Sequence, residues 1–192
     1  MFEGGDGVGK SSVRERIAQW LPSRTNQTIV ETGEPYNPDV RLLVERQLCP
    51  LAELLLFAGD RAEHYDKVVQ PRLGEGCLVL CDRGFPSTYA YQGYGRGIDI
   101  RSLLYVNSIA TKGLQPDLVF WLDAPAAVGL ARTRGDRFER EALEFHERVR
   151  KGYMNYAATY PNVVRINAAE PLDVVTERVK DILKIMLAQW GK

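Results

Sequence analysis

The chain of 192 residues is poor in several things, and each shortage excludes a class of protein. Its three cysteines, Cys49, Cys77 and Cys81, are odd in number and lack metal-ligand spacing, so neither a disulfide framework nor a structural zinc site is expected. Cys77 and Cys81 flank the apolar run Leu78-Val79-Leu80 and read as reduced thiols buried on a strand. The two histidines, His64 and His146, are too far apart to suggest a metal site and are read as lying on solvated helix faces. No apolar run approaches the roughly 18 residues of a membrane helix. The opening stretch MFEGGDGVGK has no charged segment followed by an apolar one, so no secretory signal is read there and a cytoplasmic location is expected. Charge of one sign is not in excess, with 25 basic and 25 acidic residues. Nucleic acid and anionic membranes both demand a basic surplus, so neither is an expected partner. The basic set is nevertheless skewed: 18 of the 25 are arginine, the planar fork that grips phosphates and carboxylates.

What is present is a regular alternation. Strand signals at Thr28–Glu31, Cys77–Cys81, Asp117–Leu122 and Val163–Ile166 are separated by helix signals at Ser11–Leu21, Asp39–Gln47, Leu51–Gln70, Ser87–Gln92, Ile100–Thr111, Pro125–Thr133, Ala142–Tyr160 and Pro171–Gln189. The strand at Cys77–Cys81 is continuously apolar, as strands buried on both faces are, and Asp117–Leu122 reads as another buried strand. The expected fold class is α/β, a three-layer α/β/α arrangement on a parallel sheet of about five strands. With no linker, repeat or low-complexity segment, one domain spans residues 1–192. A glycine loop that meets phosphate normally follows a strand, yet only Met1-Phe2-Glu3 precede it here. A truncated first strand, or a start further upstream, is therefore expected.

That loop, Gly4-Gly5-Asp6-Gly7-Val8-Gly9-Lys10-Ser11, fits G-x-x-x-x-G-K-[ST] in full. The glycines free backbone N–H groups to face phosphate oxygens, and the helix that follows adds the positive end of its dipole. Lys10 is placed to reach the outer phosphates of a nucleoside triphosphate, and the Ser11 hydroxyl to hold Mg²⁺. The loop residues with Ser12 and, from a helix end further on, Arg132 form the expected ATP-binding set. Asp82-Arg83 closes a buried strand, where open α/β sheets bind ligands. Asp82 suits a metal or its waters and Arg83 an acceptor phosphate, or the two form a structural pair at the strand end.

At this point several separated blocks resemble the thymidylate kinase family. Phe2-Glu3-Gly4, Asp6-Gly7 and Gly9-Lys10-Ser11 are similar to its opening. Leu56-Phe57-Ala58-Gly59-Asp60-Arg61-Ala62-Glu63-His64 resembles its L-F-x-A-D-R-x-x-H helix. Asp82-Arg83, Ser87-Thr88 and Ala90-Tyr91-Gln92-Gly93 resemble its D-R-Y-x-x-S-x-x-A-Y-Q-G segment. Asp136-Arg137-Phe138-Glu139, with Phe145 and Arg148 to Tyr153, resembles its lid and the helix after it. The blocks keep their order from Phe2 to Tyr153.

The resemblance implies a P-loop kinase that phosphorylates dTMP with ATP and Mg²⁺, working as a homodimer packed through helices. It implies that Phe57 stacks on the thymine ring, where the alternative is a core phenylalanine. Arg61 would bond the base carbonyl, or else a surface ion pair with Asp60 or Glu63. Thr88 and Gln92 would meet the base edge, and Tyr91 would crowd the sugar 2′ position. Asp6 would touch the sugar 3′ hydroxyl or the metal shell, and Ser87 serves as a substrate contact or a helix N-cap. The catalytic set would be Lys10, Asp82, Arg83 and Arg137. Arg137 is taken from a short lid at about residues 134–141, because the loop position beside Asp6 is Gly7 rather than arginine. Arg134 and Arg140 share that lid, and Arg140 reads as a solvated charge.

Two departures stand out. The family's T-R-E-P is Thr32-Gly33-Glu34-Pro35 here, which removes an arginine that Arg41 on the next helix is placed to replace. The tyrosine of D-R-Y is Gly84. Both bear on acceptor affinity more than on reaction type. The rival readings are another P-loop deoxynucleoside or nucleoside monophosphate kinase, and a nucleotide-binding protein without catalysis.

Overall fold

The computed structural model describes residues 1–133 and 138–190. Its first strand, β1 (Phe2–Glu3), is two residues long, yet it lies in the middle of the sheet. Helix α1 (Lys10–Trp20) starts from Gly9 in a left-handed conformation and stops where Pro22 tightens the chain into a 3₁₀ turn at Leu21–Ser23. Then come β2 (Ile29–Gly33) and α2 (Pro38–Val44). The Asn37 side chain caps α2 by accepting from the Asp39 N–H at 2.9 Å. Helix α3 (Pro50–His64) passes through a π-helical turn at Tyr65–Val69 into α4 (Gln70–Gly74), so the single helix expected at Leu51–Gln70 is broken once. Strand β3 (Leu78–Asp82) leads to α5 (Phe85–Thr88), which starts two residues before the expected helix Ser87–Gln92, and a second π turn, Tyr89–Gly95, carries it beyond Gln92 to Gly95. The chain continues as α6 (Ile100–Thr111), β4 (Val119–Asp123), α7 (Ala126–Leu130), α8 (Leu143–Thr159), β5 (Val163–Asn167) and α9 (Leu172–Trp190). Capping follows local chemistry again at α6, where Asp99 accepts from the Ser102 N–H at 2.9 Å.

The five strands are parallel in the order β2-β3-β1-β4-β5. Phe2 faces Asp82 on one side and Phe120 on the other. Its ring is 1% exposed and stacks on Phe120 with centroids 5.6 Å apart. Burying such a ring contributes about 1.5–3 kcal/mol, which is how so short a strand is held between two longer ones. One face of the sheet packs on α1 and α9 through Val13, Ile17, Val175 and Val179. The other packs on α8 and its neighbours through Trp121, Phe145, Val149 and Tyr153. This three-layer order brings the loop after β1 beside the end of β3, at the carboxyl ends of adjacent parallel strands.

Both histidines depart from the expected solvated faces. His64 is 0% and His146 is 5% exposed. The apolar spacing of their helices continues through them, so sequence polarity misplaced two core residues.

Candidate active site

The loop between β1 and α1 turns through positive φ at Gly4 (140°), Gly7 (69°) and Gly9 (90°). At Gly7 a Cβ would lie 2.0 Å from the Gly129 carbonyl oxygen of α7. Neither the dihedral nor the space admits a side chain there, so an arginine at that position is excluded by packing. Lys10 folds back over the loop, donating to Gly4 O at 3.0 Å and Gly5 O at 2.6 Å. Burial and then the Arg83 charge lower its ammonium from 10.5 to about 8. Ser11 Oγ donates to Asp82 Oδ2 at 2.9 Å, so two hard oxygen donors meet at the end of β3. Such a pair fits Mg²⁺, which takes one or two protein oxygens and completes its shell with phosphates and water. Among the described residues no group of three or more His, Cys, Asp and Glu side chains is placed to hold a metal by itself. These residues border a cleft of about 970 Å³, which also reaches Ser12 and Arg132.

A second cavity, of about 410 Å³, opens next to the first. Phe57 of α3 stands on its wall 6.3 Å from Phe138, and Phe138 meets Tyr91 edge-on at 5.9 Å. Arg61 is 2% exposed, and neither Asp60 nor Glu63 is its partner. It pairs with Glu34, with Nη2 to Oε2 at 2.7 Å, and donates to Thr88 Oγ1 at 2.9 Å. Burial works to raise the Glu34 carboxyl, but the Arg61 charge and the His64 hydrogen bond outweigh it and hold it low. Asp60 instead accepts from the Tyr36 and Asn37 N–H groups, both at 2.7 Å, which ties α3 to the start of α2. Gln92, one turn beyond Thr88, donates through Nε2 to the buried Glu53 at 2.7 Å.

Asp6 and Arg83 border both spaces. Arg83 holds a left-handed φ of 68°, a strain of about 1–2 kcal/mol for a residue with a side chain. Its guanidinium is fixed by Asp6 Oδ1 at 2.5 Å, Gly4 O at 3.2 Å and Ser87 Oγ at 3.2 Å, over the Tyr91 ring. The Tyr91 hydroxyl donates to the other Asp6 oxygen at 2.6 Å. Burial pushes the Asp6 carboxyl up, yet Arg83, Lys10 and this hydroxyl bring it below the usual range. Ser87 is not the cap of α5, which Gly84 provides. Its hydroxyl donates to Glu3 at 2.6 Å, and the Tyr153 hydroxyl donates to the same Glu3 oxygen at 3.0 Å.

Most of the residues that line the two cavities belong to the sequence motifs. Arg137 and Arg134 lie outside the described residues. Arg41 is exposed and borders both cavities, as its placement suggested. Gly33 has a reason: a Cβ there would sit 2.8 Å from the Asp82 carbonyl oxygen. Four residues at the site, Glu3, Glu34, Glu53 and Tyr153, have no role that the motifs alone imply. Glu34 and Glu53 carried a signal, since each acid falls in an otherwise apolar or turn-forming stretch near an arginine of the motif. Glu3 lies in the quoted opening block, but only the fold shows its carboxylate to be 0% exposed beneath Ser87.

The family model for thymidylate kinase matches residues 2–179. This chain belongs to the thymidylate kinase family. It is 47% identical to a thymidylate kinase of Synechococcus sp. strain JA-3-3Ab, over 95% of this chain and 93% of that protein. It is 42% identical to one from Thermosynechococcus vestitus, over 99% of this chain and 88% of that protein. Among solved structures, the thymidylate kinase of Ehrlichia chaffeensis superposes with a TM-score of 0.80 at 31% identity, covering 95% of this chain and 96% of the other. The described residues contain no helix long and apolar enough to cross a membrane.

Proposed function

We propose that this protein transfers the terminal phosphoryl group of ATP to dTMP, giving ADP and dTDP, in a single domain. The observation that carries this reading is Arg83. It is locked by Asp6 where a phosphate loop and an aromatic-walled cavity meet, so one cation faces the point where donor and acceptor phosphates would come together. The loop N–H groups and Lys10 hold the donor, while Arg132 borders the same cleft. Phe57 stacks on the base, Arg61, Thr88 and Gln92 meet its edge, and Tyr91 and Asp6 bound the sugar. Ser87 and Arg83 hold the acceptor phosphate. Ser11 and Asp82 are the residues that would hold Mg²⁺, which when bound neutralises charge on the phosphate oxygens. Arg137, from the lid at about residues 134–141, would stabilise the charge spread over the transferring group. An acceptor phosphate that is already ionised needs no general base.

An assay offering ATP with dTMP, dUMP, thymidine, AMP or dGMP tests this. dTDP is the expected product, and Arg137→Ala lowers turnover by orders of magnitude with dTMP affinity little changed. Reaction with thymidine but not dTMP, or ATP binding without dTDP, overturns the reading. We also infer a homodimer in the cytoplasm. Its support is a set of exposed apolar side chains on the adjoining helices α3 and α6: Leu51 (59%), Leu55 (54%), Tyr105 (69%) and Ile109 (63%). Sedimentation at micromolar concentration should give one species of twice the chain mass, and a monomer would refute it.

A further inference from the structure

Glu53 projects from the first turn of α3 and is 0% exposed, an unusual place for an acid. Its Oε1 accepts from Gln92 Nε2 at 2.7 Å and from Arg96 Nε at 3.3 Å. Arg96 also pairs through Nη1 with Glu141 at 2.6 Å, and lies over the Phe145 ring at 4.6 Å. A carboxylate beside a guanidinium is acceptor-only, so it dictates which end of the Gln92 amide turns toward it. The nitrogen must face Glu53, and the oxygen must face away. Among the described residues nothing donates to Gln92 Oε1, and it is not one of the sealed side-chain atoms left without partners. It is therefore open to the 410 Å³ cavity that Gln92 lines.

We propose that Glu53 is a specificity-determining positioning residue: by holding the amide nitrogen of Gln92, it presents the amide oxygen to the base, so that the site accepts a pyrimidine whose ring nitrogen carries hydrogen and rejects one whose ring nitrogen is a bare acceptor. The inference rests on the reading above that this cavity takes the thymine ring. Thymine and uracil have an N–H at that ring position. Cytosine offers a lone pair, which would face the Gln92 oxygen and leave both acceptors without a hydrogen. Arg61 works in the same sense, because a guanidinium only donates and so suits a base carbonyl rather than an amino group. The selection against cytosine is thus distributed over two helices. Arg61 is fixed by Glu34, and Gln92 by Glu53, so each reader is oriented by its own buried acid.

The test is equilibrium binding of dTMP and dCMP, with dCMP measured by competition, to the wild type, Glu53→Met and Glu53→Gln. In Glu53→Met the amide is free to turn. The affinity for dTMP should fall at least about tenfold while that for dCMP does not fall, so the ratio drops at least about tenfold. In turnover the loss should appear in KM more than in kcat. Glu53→Gln retains an oxygen for the same two donors and should keep the ratio within about threefold of the wild type. A loss that weakens both nucleotides equally, or a folded Glu53→Met that keeps the wild-type ratio, overturns the proposal. If Glu53→Met does not fold, Glu53→Met with Arg96→Met removes both charges and takes its place with the same two outcomes. A wild type that forms no dTDP would refute the functional reading instead, before Glu53 is altered.

Discussion

The two cavities are built on opposite plans. The donor cleft is made largely of backbone. Its loop turns on glycines, Ser11 and Ser12 are exposed, and Lys10 leans on two carbonyl oxygens. The acceptor cavity is made of side chains already wired to one another: Arg61 to Glu34 and Thr88, Gln92 to Glu53, Tyr91 to Asp6. A polyphosphate chain varies little, so backbone amides and one ammonium suffice to receive it. A base must be told from similar bases, which requires donors and acceptors held in one orientation before binding. Buried acid partners supply that orientation, at the cost of placing charges where water cannot reach.

That contrast is broken most severely at Arg61. Glu34 and Arg61 are 8% and 2% exposed, so removing one partner leaves a buried charge. Arg61→Met should lower the unfolding free energy by about 3–5 kcal/mol in urea denaturation, while Arg61→Met with Glu34→Met recovers most of the loss. A change below about 1 kcal/mol in the single variant would mean that the acceptor cavity is not held by buried charge at all.

The same contrast explains what the sequence revealed. The donor cleft was legible because its chemistry is local. Eight consecutive residues specify the turn, the lysine and the helix start, and the order of strands and helices then places them. The acceptor readers Phe57, Arg61, Thr88, Tyr91 and Gln92 were legible through resemblance, but their partners were not. Glu53 is 39 positions from Gln92, and Glu34 is 27 from Arg61, so no local pattern joins them. The first strand was judged by its length, whereas its hold on the sheet comes from Phe2 lying between Asp82 and Phe120. Boundaries slipped where helices carry π turns, at Tyr65–Val69 and Tyr89–Gly95, because apolar spacing does not register one extra residue in a turn.

A smaller effect separates the cavities by pH. Lys10 titrates at about 8 because burial and the Arg83 charge oppose its ammonium. Bound triphosphate favours the charged form, so ATP affinity is greatest where Lys10 carries its proton. As pH rises through about 8, binding must be accompanied by proton uptake, and the ATP dissociation constant should increase by up to about tenfold per pH unit, equivalent to about 1.4 kcal/mol. Among the described residues that line it, the acceptor cavity has no matching group. Its cations are guanidiniums, which stay protonated well beyond this range. Tyr91 and Tyr153 are both raised well above 10, first by burial, so their hydroxyls remain donors. Titrations of ATP and of dTMP between about pH 7.5 and 9.5 should therefore diverge, ATP weakening and dTMP unchanged. Lys10→Met should bind ATP more weakly at pH 7.5 and lose the slope. A wild-type ATP affinity that is flat over this range would show that Lys10 is not the group that titrates. A dTMP affinity that falls in parallel would place the titrating group at the shared Asp6–Arg83 junction instead.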